Sequence, residues 1–411
     1  MKLMKVEEAL QLFLKHVKIK ETEIEYVSLN EALHRVLGED IISPTDLPPF
    51  DRAAMDGFAV KSTDTFGASE LSPVELKIIG ESEIGRPFKG VLESGCAVRI
   101  DTGAKIPDGA DAVVPKEYTK EFDDRVLIFK SVVPFENTAK KGEDVKRGEI
   151  ILHKGKILEP YDIALLKALG ISQVPVKKKP KIAVFSIGNE LIEEFNPKLL
   201  EEGKIVDTNR IMICSLIKEN GGECIDFGII PDDSNEIRNA LIKSTNFADI
   251  ICTIGGISIG KRDFVAKVVN EIGTLIVRGV AIQPGKPVSL GVINGKPVVC
   301  LPGFPVSAFI AYCLFVKPLI FKMLGIKREY QMTVKGKLSR RLPGRLGRRV
   351  FVRVKLKTRD GDIIVEPLKT SGAGILSSLC KADGILIIPE NLEGFEKGFD
   401  VDVITLKDFH E

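Results

Sequence analysis

The stretch Gly255-Gly256-Ile257-Ser258-Ile259-Gly260 follows an apolar run and precedes an amphipathic one. Paired glycines let a backbone approach a ligand without a Cβ clash. A helix starting near Asp263 would turn free N–H groups and its positive dipole end toward that ligand, an arrangement suited to phosphate or another oxyanion. Gly255 to Lys261 nearly spells a phosphate-binding P-loop, but Arg262 stands where Ser or Thr would hold magnesium. A P-loop-like NTPase is therefore a minor alternative. The plainer alternative is a pair of glycines needed only for tight strand–helix packing.

Two further loops share this setting: Ser186-Ile187-Gly188-Asn189-Glu190 and Pro302-Gly303-Phe304-Pro305-Val306-Ser307. Carboxylates gather in the same places, with Glu190, Asp232-Asp233 and Asp263 each just past an apolar run, and with Asp56 and Asp144 upstream. Converging carboxylates suit magnesium beside phosphates. Taken singly, each also fits a helix cap or a solvated turn acid, and for Asp232 that reading is the stronger. Lys286, in the stiff turn Pro284-Gly285-Lys286-Pro287, is placed either to meet an oxyanion as a point charge or to sit in an ordinary surface loop. The four histidines stand apart and none of the seven cysteines forms a C-x-x-C pair, which argues against zinc or a histidine triad. Reduced core thiols of a cytoplasmic protein are expected.

These loops need a scaffold. Residues 180 to 325 alternate strand and helix patterns: strands Lys181–Ile187, Cys224–Ile230, Asp249–Ile254, Leu275–Val277 and Val298–Leu301, and helices Thr208–Glu219, Asn235–Ser244, Asp263–Ile272 and Pro305–Leu324. That alternation predicts a doubly wound, mainly parallel α/β domain, whose ligands bind beyond the carboxyl ends of the strands. Residues 46–145 and 328–411 carry short β-type runs between Gly/Pro turns, including a hairpin at Asp360-Gly361. In Val350–Lys357, Val350, Val352, Val354 and Leu356 alternate with Phe351, Arg353, Lys355 and Lys357, a half-buried strand pattern. Residues 1–45 have two helical patterns, the second from Ser28 to Leu37 with a Ser28/Glu31 capping box, and 146–178 return to helical texture. The expected organisation is a small discontinuous helical/mixed domain (1–45 and 146–178), an inserted β-rich domain (46–145), the α/β domain (179–327) and a C-terminal β domain (328–411).

A formal net charge of +2 over 411 residues argues against a nucleic-acid partner held by bulk electrostatics. The basic run Lys177 to Lys181 reads as a solvated linker, and the apolar stretch Phe304–Val316 reads as a buried helix rather than a membrane span.

An ordered set of motifs resembles the molybdopterin molybdenumtransferases, the family of the MoeA proteins and the E domain of gephyrin. It comprises Asp46-Leu47-Pro48-Pro49-Phe50-Asp51, Ala54-Met55-Asp56-Gly57-Phe58-Ala59, Thr102-Gly103-Ala104, Gly109 to Val114, Gly142-Glu143-Asp144 and Gly188-Asn189-Glu190-Leu191. It continues with Gly255 to Gly260 and Asp263, Pro284 to Pro287, Leu301-Pro302-Gly303 and Pro305-Val306-Ser307. The resemblance implies magnesium-dependent insertion of molybdate or tungstate into adenylylated molybdopterin with release of AMP, in a homodimer whose site lies between subunits. It gives Asp56, Asp144, Asp232 and Asp263 as catalytic acids, and Glu190 with Asp263 for magnesium. Substrate contacts fall to Thr102, Ser186, Gly188, Gly255, Gly256, Ser258, Gly260, Lys286, Pro302, Gly303, Pro305 and Ser307, and to Arg348 from the partner's C-terminal domain. A molybdopterin adenylyltransferase is an expected partner enzyme, and its activity is the runner-up function; a scaffold role is a remote third. The sequence departs from the family pattern at Asn189, where Asp is common, at Gln283, where Lys is common, and at Phe304, where Asn is common. The expected C-terminal serine falls on Ala373 rather than Ser371.

Overall fold

The computed structural model describes residues 3–257, 264–327, 332–368 and 372–406. It divides into two compact units, Tyr26–Val176 and a second made of Met1–Glu25 with Lys177–Glu411.

In the first unit, a six-stranded sheet runs in the order Ala112–Pro115, Gly57–Val60, Cys96–Ile100, Val74–Ser82, Arg125–Ile128 and Thr119–Phe122. The Val74 strand shows why: Leu76 and Ile78 are buried between exposed Glu75 and Lys77, the period-2 pattern of a one-sided strand. Its ends return through Ile41–Ile42 paired with Ile150–Leu152, and Leu158, Leu166 and Val174 pack on Leu37 and Ile41. The expected second helix does not form. The Ser28/Glu31 capping box is present but caps only a 3-10 turn, Leu29–Glu31, because His34 adopts a φ of +60° and Val36 and Leu37 enter bridges with Ile157 and Val176.

The N-terminal helix Val6–His16 falls in the other compact unit. Its buried face, Val6, Ala9 and Phe13, packs on the α/β sheet, and the Met4 carbonyl accepts from Ala281 N–H at 2.7 Å.

The α/β domain contains β1 (Lys181–Ile187), α1 (Thr208–Glu219), β2 (Glu223–Ile230), α2 (Ser234–Thr245), β3 (Ile250–Gly255), α3 (Phe264–Ile272), β4 (Thr274–Arg278), β5 (Ser289–Ile293), β6 (Lys296–Leu301) and α4 (Pro305–Phe315). The sheet order is β2-β1-β3-β6-β5-β4. The first four strands are parallel, and β5 runs antiparallel to both β6 and β4, so five strands share one direction and the mainly parallel reading holds; β5 is the strand the sequence pattern did not reveal. Phe185, Ile187 and Ile251 form one core with α2 and α3, while Tyr312 on α4 donates its hydroxyl to Leu216 O of α1 across the other face. The closing helix is broken at Val316 into α4 and Lys317–Met323. By length and composition Pro305–Met323 could cross a membrane, but Val306, Ala308, Ile310, Ala311, Tyr312 and Phe315 are core residues.

In the C-terminal domain, Arg349–Arg359 pairs with Asp362–Pro367 through the expected Asp360-Gly361 turn and also with Gly384–Ile388, which closes the sheet on itself. This closure overturns the half-buried reading at Arg353, which is 2% exposed because Ser377–Lys381 covers the strand's other face. Two more expectations fail. Cys214 and Cys224 are joined by a disulfide, since helix α1 and strand β2 bring their Cα atoms to 5.4 Å. Lys177 is no solvated linker residue: it is 5% exposed and pairs with Glu21 at 2.8 Å.

Candidate functional site at the carboxyl ends of the strands

The parallel strands β1, β3 and β6 deliver three loops to one edge of the sheet, in the manner of doubly wound folds. Gly255 and Gly256 both take positive φ, +86° and +63°. A Cβ on Gly255 would stand 2.5 Å from the carbonyl oxygen of Ile187, and one on Gly256 would meet Val265 and Ile187 side chains at 2.7 and 2.9 Å. The turn therefore lies directly on the β1 loop, and only glycine permits it. The Pro302-Gly303 loop abuts it from the other side, since a Cβ on Gly303 would lie 3.6 Å from Gly255 Cα. Asn209, in the first turn of α1, ties this edge together by donating Nδ2–H to Gly303 O at 2.6 Å. Asn209 escaped sequence reasoning; the only signal was its place just past the Asp207 cap.

Gly188 gives Glu190 its position. The Glu190 carboxylate folds back so closely that a Cβ on Gly188 would come within 2.6 to 2.8 Å of it. Asn189 and Asp232 clasp each other: Asn189 N–H donates to Asp232 Oδ2 at 3.3 Å, and Asp232 N–H to Asn189 Oδ1 at 3.2 Å. This explains the departure at Asn189, because Asn keeps the acceptor without setting a second carboxylate against Asp232. It also marks Asp232 as a loop clamp. Asp233 is the N-cap of α2, accepting from Asn235 and Glu236 N–H. Ser186, on the α1/α4 face of β1, is fully buried and its hydroxyl has no partner.

The Lys286 turn joins the same edge from the far strands. A Cβ on Gly285 would lie 3.6 Å from Ser307 O, which puts this turn on the first turn of α4. Ile282 and Gln283 pair in parallel with Arg349 and Val350, so Arg348 follows alongside within one chain. The C-terminal domain makes a second contact there, with Val306 N–H donating to Ala373 O at 3.1 Å and Gly374 lying on the Phe304 ring. Arg348 thus neighbours the Lys286 turn of its own chain. Sequence reasoning also passed over Arg353, whose Nε donates to Ser378 Oγ at 3.1 Å while its buried Nη2 has no partner. Burial presses its proton affinity down, and among the described residues no carboxylate pairs with it. Ser258, Gly260 and Asp263 lie outside the described residues.

In the other unit, Asp56 is exposed but held: its Oδ1 accepts Thr102 N–H and Thr102 Oγ1–H, each at 2.6 Å. The Thr102 hydroxyl, then its N–H, keep the Asp56 carboxyl below the usual aspartate range. Gly57 is obligatory beside it, because a Cβ would fall 2.0 Å from Val114 O. Asp144 stands exposed in a turn whose Gly142 N–H donates to Pro48 O at 3.0 Å. No hydrogen bond or ion pair joins Asp144 to Asp56 among the described residues. Asp46 and Asp51 are engaged by the N–H groups of Arg147 and Lys141 at 2.9 and 2.7 Å.

Comparison with known proteins finds similarity along nearly the whole chain. Residues 4–170 match the MoeA N-terminal region (domains I and II), 183–322 a probable molybdopterin-binding domain, and 335–406 the MoeA C-terminal region (domain IV). A putative molybdopterin biosynthesis protein of Methanocaldococcus jannaschii is 40% identical over 94% of this chain and 93% of its own. The molybdopterin molybdenumtransferase of Haemophilus influenzae is 34% identical over 95% of each. The crystal structure of a molybdopterin biosynthesis MoeA protein from Pyrococcus horikoshii superposes with a TM-score of 0.86 at 40% identity, covering 98% of this chain and all of that one. The chain therefore belongs to the molybdopterin molybdenumtransferase (MoeA) family, transferases of molybdenum cofactor biosynthesis.

Proposed function

We propose that this protein takes adenylylated molybdopterin and molybdate or tungstate, transfers the metal oxyanion to the pterin dithiolene and releases AMP. The observation carrying this reading is the convergence, within one chain, of the Gly255 turn, the Gly303 loop, the Lys286 turn, the start of α4 and the Arg348 turn. A phosphate-bearing pterin needs backbone N–H groups and a close approach, which the glycines provide. A dianionic oxyanion needs fixed cations, which Lys286 and Arg348 provide, with Ser307 beside them and with the buried Arg353, whose Nη2 has no partner, in the same C-terminal domain.

Magnesium fits this site in a limited way. Among the described residues no three His, Cys, Asp or Glu side chains gather as a metal cluster. Magnesium usually takes only one or two carboxylates and completes its shell with water and substrate phosphates. Glu190, held open over Gly188, would serve as such a ligand, with Asp263 as the second. Bound there, the ion would neutralise phosphate charge. Asp56 and Asp144 act as further acids toward the pterin–nucleotide, and Asp232 acts by holding Asn189 and hence Glu190 in place. The working form is a homodimer in the cytoplasm, supplied by a molybdopterin adenylyltransferase.

Purified protein given adenylylated molybdopterin with molybdate or tungstate should release AMP and retain metal on the pterin. Absence of AMP release with both oxyanions refutes the proposal.

A further inference from the structure

A second concave site lies at the opposite edge of the α/β sheet. Its cleft, of about 380 Å³, is walled by the segment Lys18–Glu23 on one side and by the amino ends of the parallel strands on the other. Lys181 opens β1, Asp249 precedes β3 and Lys296 opens β6. A seven-residue strand spans roughly 20 Å, so this cleft is separate from the loops at the carboxyl ends.

Its charge is one-sided. Six lysines and three acids line it, and every acid is already engaged. Glu21 pairs with Lys177 at 2.8 Å and Glu23 with Lys178 at 2.7 Å. Asp249 accepts Lys181 N–H at 2.9 Å and faces Lys296 at 3.7 Å. Lys18, Lys20, Lys179 and Lys181 make no ion pair among the described residues, on a chain whose net charge is only +2. A concave surface with an excess of one sign of charge raises the local concentration of counter-ions.

The walls are built rather than incidental. Lys177 is buried, and its ammonium donates to both Glu21 and Thr22 O, at 2.8 and 3.1 Å. Thr22 N–H donates to Met323 O at 2.8 Å, and Lys178 N–H to Glu23 O at 2.8 Å. A buried cation thus pins the N-terminal segment across the strand ends and holds the free lysines around one hollow.

We propose that this cleft is a binding site for a small ligand bearing a chain of phosphates, separate from the catalytic loops. Lysines meet phosphate as point charges, and four unpaired ones around a hollow suit several adjacent phosphate groups. The hollow is concave and small, which favours a compact anion over a flat protein surface. Its apolar floor, Ile19, Pro297 and Met323, leaves room for a nucleoside attached to the phosphates.

The test is calorimetric titration of the full-length protein with inorganic tripolyphosphate and separately with ATP. Wild type should bind one equivalent saturably at low salt and more weakly as salt rises. The double variant Lys18→Gln/Lys179→Gln should bind about tenfold more weakly, while Lys286→Ala at the other edge of the sheet should bind like wild type. Tighter binding of ATP than of tripolyphosphate identifies a nucleotide ligand; equal binding identifies the phosphate chain alone. Should the first double variant melt early, Lys20→Gln/Lys181→Gln replaces it. Absence of saturable binding, or binding lost in Lys286→Ala but kept in the cleft variants, overturns the proposal. Because the readout is binding rather than AMP release, its failure is distinct from failure of the proposed reaction.

Discussion

Two neighbouring glycines should respond very unequally to the same added methyl group. Gly255 has a φ of +86°, and its Cβ would sit 2.5 Å from Ile187 O; Gly303 has no positive φ, and its nearest neighbour would be Gly255 Cα at 3.6 Å. For Gly255→Ala, the left-handed conformation alone costs about 1–2 kcal/mol. The Cβ–oxygen approach falls roughly 0.7 Å short of ordinary contact, so β3 and the β1 loop must part or the turn must refold. The sum is about 2–4 kcal/mol, near the upper end for a single substitution. At roughly 2–4 °C per kcal/mol, melting should fall by about 4–16 °C. Gly303→Ala should stay within about 0.5 kcal/mol of wild type. Denaturant unfolding gives the stability comparison, and AMP release gives the functional one: Gly255→Ala should lose at least ~100-fold in kcat/KM, because it displaces the loop bearing Glu190. Equal stability of the two variants, or a larger loss at Gly303, would refute the argument that the turn is fixed by its contact with Ile187.

Other expectations follow from individual contacts. Thr102→Val removes the hydroxyl that holds the Asp56 carboxyl low, so that carboxyl should return toward the usual aspartate range. A depressed carboxyl is ionised above its folded pKa and loses its charge as pH falls through it, so the acid limb of the pH–rate profile should move to higher pH in the variant. Asn189→Asp keeps the acceptor used by Asp232 N–H, so thermal stability should change by less than about 0.5 kcal/mol. Its added charge faces Asp232, so activity should become more salt-dependent. Arg210 ion-pairs with Asp207, Asp226 and Glu193, and Asp207 is nearly inaccessible. Arg210→Met should cost about 2–3 kcal/mol, chiefly by stranding Asp207, with denaturant midpoints as the measure.

The α/β domain was legible because its signals are local. Asp207 and Asp233 cap α1 and α2, and apolar runs bounded by glycine mark β1, β2 and β3 within a residue or two. β5 was not legible, since Ser289–Ile293 is short, contains Gly291 and owes its pairing to β4 and β6. Ser28 to Leu37 shows the limit of a cap signal: a correct capping box starts a turn, but tertiary bridges at Val36 and Leu37 end it. The candidate residues were legible as motifs, and their assembly was not. Nothing in the sequence pairs Ile282 with Arg349 or sets Ala373 on Val306, because both contacts depend on how the barrel docks.

Arg353 shows what that docking adds. Alternation assigns it to an outward face, yet barrel closure and the helix Ser377–Lys381 bury it with one nitrogen unpaired. A buried guanidinium with an empty donor is a cost to the folded chain unless something anionic completes it. Met has similar length and no such cost, so Arg353→Met should leave the melting temperature of the ligand-free protein unchanged or raised. If the empty donor serves the oxyanion, the same variant should lose its response to molybdate, with AMP release failing to rise with oxyanion concentration. A purely structural arginine predicts the reverse pattern, a lower melting temperature with an unaltered molybdate response. The two measurements together therefore separate a strained binding residue from a core residue.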